Sequence, residues 1–215
     1  MYKIIPSPGT DNKEWSDIEK KIELVRPFAK TIHIDVIDGD FAPNTTFADP
    51  LPFAKYTKDM LFEVHFMVRE PIKHLQFWAD AGFRRFIGQV EKMSDQEEFV
   101  ARAQLLGEVV LALDKQTPVD GIHVPLDDLD GLLVMTIQAG FSGQKFEEAL
   151  LEKVKTLRSR TELPIEVDGG MNDETILVAS AAGATRFVAT SFLFNLETPE
   201  KQYHLLQKQL ELLQK

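Results

Sequence analysis

Cysteine is absent from the 215 residues, which excludes disulfides, thiolate nucleophiles and thiolate metal ligands. Its absence fits a reducing cytosol, and we expect a cytoplasmic protein. No apolar run approaches the length of a membrane span, and the opening MYKIIPSPGTDNKEW holds no apolar leader core, so neither a transmembrane helix nor a secretory leader is expected. Positive charge is outnumbered: 24 Lys and Arg against 34 Asp and Glu give a formal net charge of −10, which argues against nucleic acid and anionic membranes as partners. A small phosphorylated ligand remains compatible, since it needs only local positive potential. Low-complexity tracts, strong internal repeats and an obvious linker are also missing. With 44% apolar residues, the sequence reads as one domain over residues 1–215 with a single sizeable core.

What is present is alternation. Short β-rich runs occur at Lys3–Pro6, Thr31–Val36, Leu61–Phe66, Arg84–Gly88, Val109–Leu113, Gly131–Thr136, Pro164–Val167 and Thr185–Ala189. Helical patterns lie between most of them, at Lys13–Phe28, Pro71–Ala81, Gln96–Leu106, Glu147–Ser159, Asp173–Ala182 and Pro199–Gln214. Such alternation implies right-handed βαβ units and a parallel sheet. Eight strands in a chain this long predict an α/β fold, a single-domain (β/α)8 TIM barrel, with a doubly wound open sheet as the alternative. Gly121 and Pro125 interrupt Thr117–Asp130, where a short or irregular crossover is expected.

Polar residues at strand ends carry the chemistry. Residues i and i+2 of a strand share a face, so His33 and Asp35 in HIDVIDG point together, away from Ile32, Ile34 and Val36. FEVHFMV ends the third strand with His65, and IEVDGG ends the seventh with Asp168. Two imidazoles and two carboxylates suit a borderline divalent cation: zinc, iron, manganese or cobalt. A cluster that only satisfies its own hydrogen bonds is the competing reading. Three loops, MTIQAGFSGQKF, VDGGM and VATSF, follow strands six to eight, a recurrent position for phosphate in barrels. His74 and His204 read as solvated helix residues, and Asp38 as a loop cap.

The motifs IHIDVIDGDFAPNTTF, VHFMVREP, LLVMTIQAGFSGQKF, IEVDGGMNDETI and GATRFVATSFLF resemble the ribulose-phosphate 3-epimerase family, in family order from Ile4 to about Phe194. The resemblance implies a (β/α)8 barrel that inverts C3 of a ketose phosphate, D-ribulose 5-phosphate to D-xylulose 5-phosphate. It implies one divalent metal and no organic cofactor, a sugar-phosphate partner, and a homo-oligomer. Carried over by position, His33, Asp35, His65 and Asp168 match the metal ligands, and Asp35 and Asp168 also match the two acid/base carboxylates. Ser7, His65, Met67 and Met135 match the pocket; Gly140, Phe141, Ser142, Gly143, Gly169, Gly170, Thr190 and Ser191 match the phosphate-contacting loops.

Departures from the family pattern bear on sugar length. Ile37 replaces a usual methionine, Gln89 a usual histidine and Gln138 a usual glutamate; Ala139 and Thr190 also differ, as does SPGTDNKEW after the first strand. The alternatives are a D-allulose-6-phosphate 3-epimerase, a phosphosugar lyase, and a phosphosugar-binding barrel without turnover. The lyase reading is disfavoured because no lysine stands among the strand-end acids.

Overall fold

The computed structural model describes residues 2–195 and 198–213. Its eight strands are β1 (Lys3–Pro6), β2 (Thr31–Ile37), β3 (Leu61–Met67), β4 (Arg85–Gln89), β5 (Glu108–Leu113), β6 (Gly131–Met135), β7 (Ile165–Asp168) and β8 (Arg186–Ala189). All the ladders are parallel, in the order β1-β8-β7-β6-β5-β4-β3-β2, and β1 approaches β2 to bring the sheet nearly full circle. The architecture is a (β/α)8 barrel rather than an open sheet.

Period-two alternation sorts each strand into two faces. Ile32, Ile34 and Val36 of β2 join Phe62, Val64 and Phe66 of β3 in the outer core beneath the helices. Trp78 there meets Phe83 edge-on at 4.7 Å, and Phe53 packs on both Phe62 and Phe83. Burying each such ring contributes about 1.5–3 kcal/mol. Ile37, Met67, Ile87, Val110, Leu133 and Met135 form a second, smaller apolar cluster inside the barrel.

The helices are shorter than their sequence patterns. The first, α1 (Trp15–Val25), buries Ile18, Ile22 and Val25 and stops before Phe28: Arg26 is still helical and donates to Ile22 O, but Pro27 has no N–H to carry the ladder further. Pro71–Ala81 divides into a 3₁₀ turn, Pro71–Lys73, and α2 (Leu75–Asp80). Then follow α3 (Gln96–Gln104), capped by the Asp95 carboxylate accepting from Glu98 N, α4 (Leu151–Arg158) and α5 (Thr175–Ala181). The sequence did not anticipate α6 (Ser191–Phe194). Last is α7 (Pro199–Leu212), whose Leu206 and Leu210 are buried; Gln214, included in the expected final helix, lies outside the described residues. Between β5 and β6 the crossover is irregular as expected, with 3₁₀ turns at Val119–Gly121 and Leu126–Asp128. His74 is half-buried against Phe66 rather than solvated, while His204 is exposed.

Candidate metal and phosphate site

Strand register places the polar residues. Asp35 on β2 lies beside His65 on β3, and Asp168 ends β7. One donor atom from each of His33, Asp35, His65 and Asp168 falls within 4.8 Å of the others. His33 Nε2 and His65 Nδ1 each lie 3.2 Å from Asp35 Oδ1, and 4.0 and 3.9 Å from Asp168 Oδ2. Ser7 Oγ donates to the other Asp35 oxygen at 3.0 Å. Both imidazoles are fully buried and both aspartates nearly so.

One residue pair further into the barrel lies a charged layer that the sequence reading missed. His33 Nδ1 is 2.8 Å from Glu63 Oε1 and 3.3 Å from Glu166 Oε1. Arg186 donates to Glu63 and, from Nε at 2.6 Å, to Glu166. Arg85 Nε is 3.4 Å from Glu63, and its Nη1 bonds Glu108 at the rim. A signal was present: Glu63 and Glu166 stand two residues before His65 and Asp168, hence on the same strand faces.

The donor set fits a divalent cation. Asp35, Glu63, Glu166 and Asp168 are four buried carboxylates facing two buried guanidiniums, Arg85 and Arg186, so two negative charges are in excess. Buried charge of one sign is costly without compensation. Glu63 on His33 Nδ1 also leaves Nε2 free toward the cluster, as a ligating histidine requires.

With no cation bound, protons provide the compensation. Burial pulls the His33 pKa down, but Asp35, Glu166 and Glu63 outweigh it and hold it well above the usual imidazole range. Burial and the neighbouring Asp35 carboxylate push Asp168 up to about 8. Asp35 itself is lowered: burial opposes its ionisation, yet His33 and His65 prevail through charge and hydrogen bonds. Glu166 is held low by Arg186 and His33 against the same burial cost.

Beside Asp168, a small cleft is lined by Ser142, Gly143, Gly169, Gly170, Thr190 and Ser191. Gly169 and Gly170 have φ of +122° and +67°, and a Cβ on Gly170 would come within 2.8 Å of the Phe146 backbone. No lysine or arginine lines this cleft, so an anion there would rely on N–H groups and hydroxyls. Gly140 and Phe141 belong to the same β6 loop but do not line it; Phe141 is exposed. The loop is tied across the mouth: Thr10 and Ser142 exchange hydrogen bonds of 2.8–3.1 Å, and Asn44 donates to Gly140 O at 2.9 Å. Met67 and Met135 are buried in the barrel's inner apolar cluster. Asp38 caps its loop, accepting from Asp40 N, Phe41 N and Arg69 N.

Fold and donor set together define a (β/α)8 barrel with a candidate metal centre at its C-terminal mouth. A profile of the ribulose-phosphate 3 epimerase family matches residues 10–194. The ribulose-phosphate 3-epimerase of Schizosaccharomyces pombe is 35% identical, covering 87% of this chain and 86% of the relative. The cytoplasmic isoform from rice is 36% identical (87% and 86% covered), and the Bacillus subtilis enzyme 34% identical (94% and 96%). The chain belongs to the ribulose-phosphate 3-epimerase family, and is thereby an isomerase. Among solved structures, 3-keto-L-gulonate-6-phosphate decarboxylase from Vibrio cholerae superposes with a TM-score of 0.74 over 98% of both chains. At 13% identity it shares the fold alone. No helix among the described residues is long and apolar enough to cross a membrane.

Proposed function

We propose that the protein interconverts D-ribulose 5-phosphate and D-xylulose 5-phosphate in the cytoplasm, by proton transfer at C3 between Asp35 and Asp168. The observation that carries this reading is the convergence of two aspartates and two histidines from three strands around one point, with two negative charges in excess. The names of the relatives, the rice cytoplasmic isoform among them, support the pentulose phosphate and the location.

The C3 hydrogen lies α to the C2 ketone, so its removal gives an enediolate. His33, Asp35, His65 and Asp168 would hold a divalent cation, whose Lewis acidity would stabilise that developing charge. Asp35 Oδ1 and Asp168 Oδ2 face the histidines, leaving the second oxygen of each carboxylate for proton work. Inversion needs one such group to remove the proton and the other to return one to the opposite face. Without a cation the two carboxyls already differ, Asp35 being kept ionised and Asp168 protonated, so they stand in unlike electrostatic surroundings. Ser7 fixes the second oxygen of Asp35, while Met67, one residue pair nearer the mouth than His65, and Met135, level with Asp168, exclude water from around the donor cluster. The Gly143, Gly169–Gly170 and Thr190–Ser191 segments would take the phosphate, Gly140 and Phe141 shaping that loop from outside. The same reading includes a homo-oligomer, which sedimentation equilibrium tests.

Side-by-side kcat/KM values for D-ribulose 5-phosphate and D-allulose 6-phosphate test the substrate. Preference for the pentulose is expected; preference for the hexulose would overturn that part. Carbon–carbon cleavage, or saturable binding without exchange at full metal occupancy, would overturn the reaction.

A further inference from the structure

A chain of hydrogen bonds leads from the metal-side histidine of β3 to the loop after β6. Its first link is Gln89, the last residue of β4 and fully buried. In the amide orientation that satisfies every neighbour, Gln89 Oε1 accepts from His65 Nε2 at 3.1 Å. The Gln89 amide nitrogen then donates to Glu91 Oε2 at 2.7 Å and Ala112 O at 3.1 Å. Glu91 Oε1 accepts from Asp114 N at 2.8 Å. The buried Asp114 carboxylate in turn accepts from Ala139 N and Gln138 Nε2, both at 2.9 Å. Lys153 braces this corner by donating to the Asp114 and Lys115 carbonyls at 2.7 and 2.8 Å.

The two ends of the chain constrain different halves of the site. An amide oxygen only accepts, so His65 Nε2 must carry a proton. In the neutral ring that ligation requires, the lone pair is then on Nδ1, the nitrogen facing Asp35 and Asp168. At the far end, Gln138 and Ala139 immediately precede Gly140, so Asp114 fixes where the β6 loop departs from the barrel.

We propose that Gln89 and Asp114 are positioning residues: Gln89 holds His65 in the tautomer that offers Nδ1 to a divalent cation, and Asp114 holds the loop that receives the substrate's phosphate. The proposal rests on the metal-dependent epimerase reading above. Where the family usually carries histidine, this chain has an amide that Glu91 orients.

Zinc affinity of the full chain, measured by competition with a chromophoric chelator, tests the first half. Gln89→Leu removes the acceptor and should weaken zinc by about 10- to 100-fold. It should also abolish the exchange-protected His65 Nε2–H signal in ¹⁵N spectra, which a purely space-filling role would not move. Gln89→His retains an acceptor nitrogen and should restore both readouts, separating this effect from misfolding, which circular dichroism monitors. Asp114→Ala should raise KM for the sugar phosphate while zinc affinity stays within about twofold of wild type, and Asp114→Asn should recover much of the lost KM. Undiminished zinc affinity and an intact imidazole proton in Gln89→Leu would overturn the role of Gln89. An unchanged KM in Asp114→Ala would overturn that of Asp114. If the wild-type chain took up no zinc, the metal-dependent reading would fail instead, and the imidazole proton of the zinc-free chain would decide on Gln89 by itself.

Discussion

Loading the apoprotein with zinc near pH 7 should release about two protons. The number comes from the charge balance within the barrel, where four carboxylates oppose two guanidiniums. In the apoprotein the two excess charges are offset by protonating His33, held well above its ordinary range, and Asp168, raised to about 8. At pH 7, roughly nine in ten Asp168 carboxyls then carry a proton, and nearly every His33 is an imidazolium. Ligation requires a neutral imidazole and an ionised carboxylate, so both protons must leave. Apparent affinity should therefore rise by close to a hundredfold per pH unit below about 7, with the slope easing as Asp168 ionises. Calorimetric titration in buffers of different ionisation enthalpy reads the proton count directly. Asp168→Asn should lower that count by about one. Zinc binding with no proton release, or an undiminished count in Asp168→Asn, would refute the charge-balance reasoning.

Stability of the apoprotein should fall as pH rises from about 6 through 8. The raised pKa values of His33 and Asp168 mean that the folded state binds protons the unfolded chain has released, so their contribution is present at low pH and lost as pH passes the folded values. The opposite shifts of Asp35 and Glu166 cost stability only in strong acid. Melting temperatures in chelator at both pH values check this, and added zinc should remove or reverse the trend. Arg186→Met should destabilise the fold by about 3–5 kcal/mol in urea titrations, because it leaves Glu63 and Glu166 buried without their shared partner. Gly170→Ala should raise KM for the sugar phosphate more than it lowers zinc affinity, since Gly170 lines the proposed phosphate cleft and its added Cβ would collide with the Phe146 backbone, away from the donor cluster.

Much of this architecture was readable from local pattern. Lys3–Pro6 matches β1, and the alternation of TIHIDVI shows which residues of β2 face inward. Helix ends were less legible: Pro27 cuts α1 short, and the Pro71 segment starts as a 3₁₀ turn after Glu70 in a left-handed conformation. The charged layer was hidden for another reason. Glu63 and Arg186 are 123 residues apart and meet only because the sheet curls round on itself. The same holds for Thr10 and Ser142, 132 residues apart, and for Gln89, whose orientation depends on partners from two other strands and a turn. Periodicity reports the face on which a side chain stands; closure of the barrel decides what it meets.

The most direct measurement is deuterium at C3 of D-xylulose 5-phosphate formed from D-ribulose 5-phosphate in D₂O by the zinc-loaded enzyme. Proton return from a second carboxylate that exchanges with solvent predicts one deuterium at that carbon in each product molecule, with incorporation lost in Asp35→Asn and Asp168→Asn. Product formed with its original hydrogen retained at C3, or labelled undiminished by either variant, would contradict a carboxylate on each side of the reacting carbon.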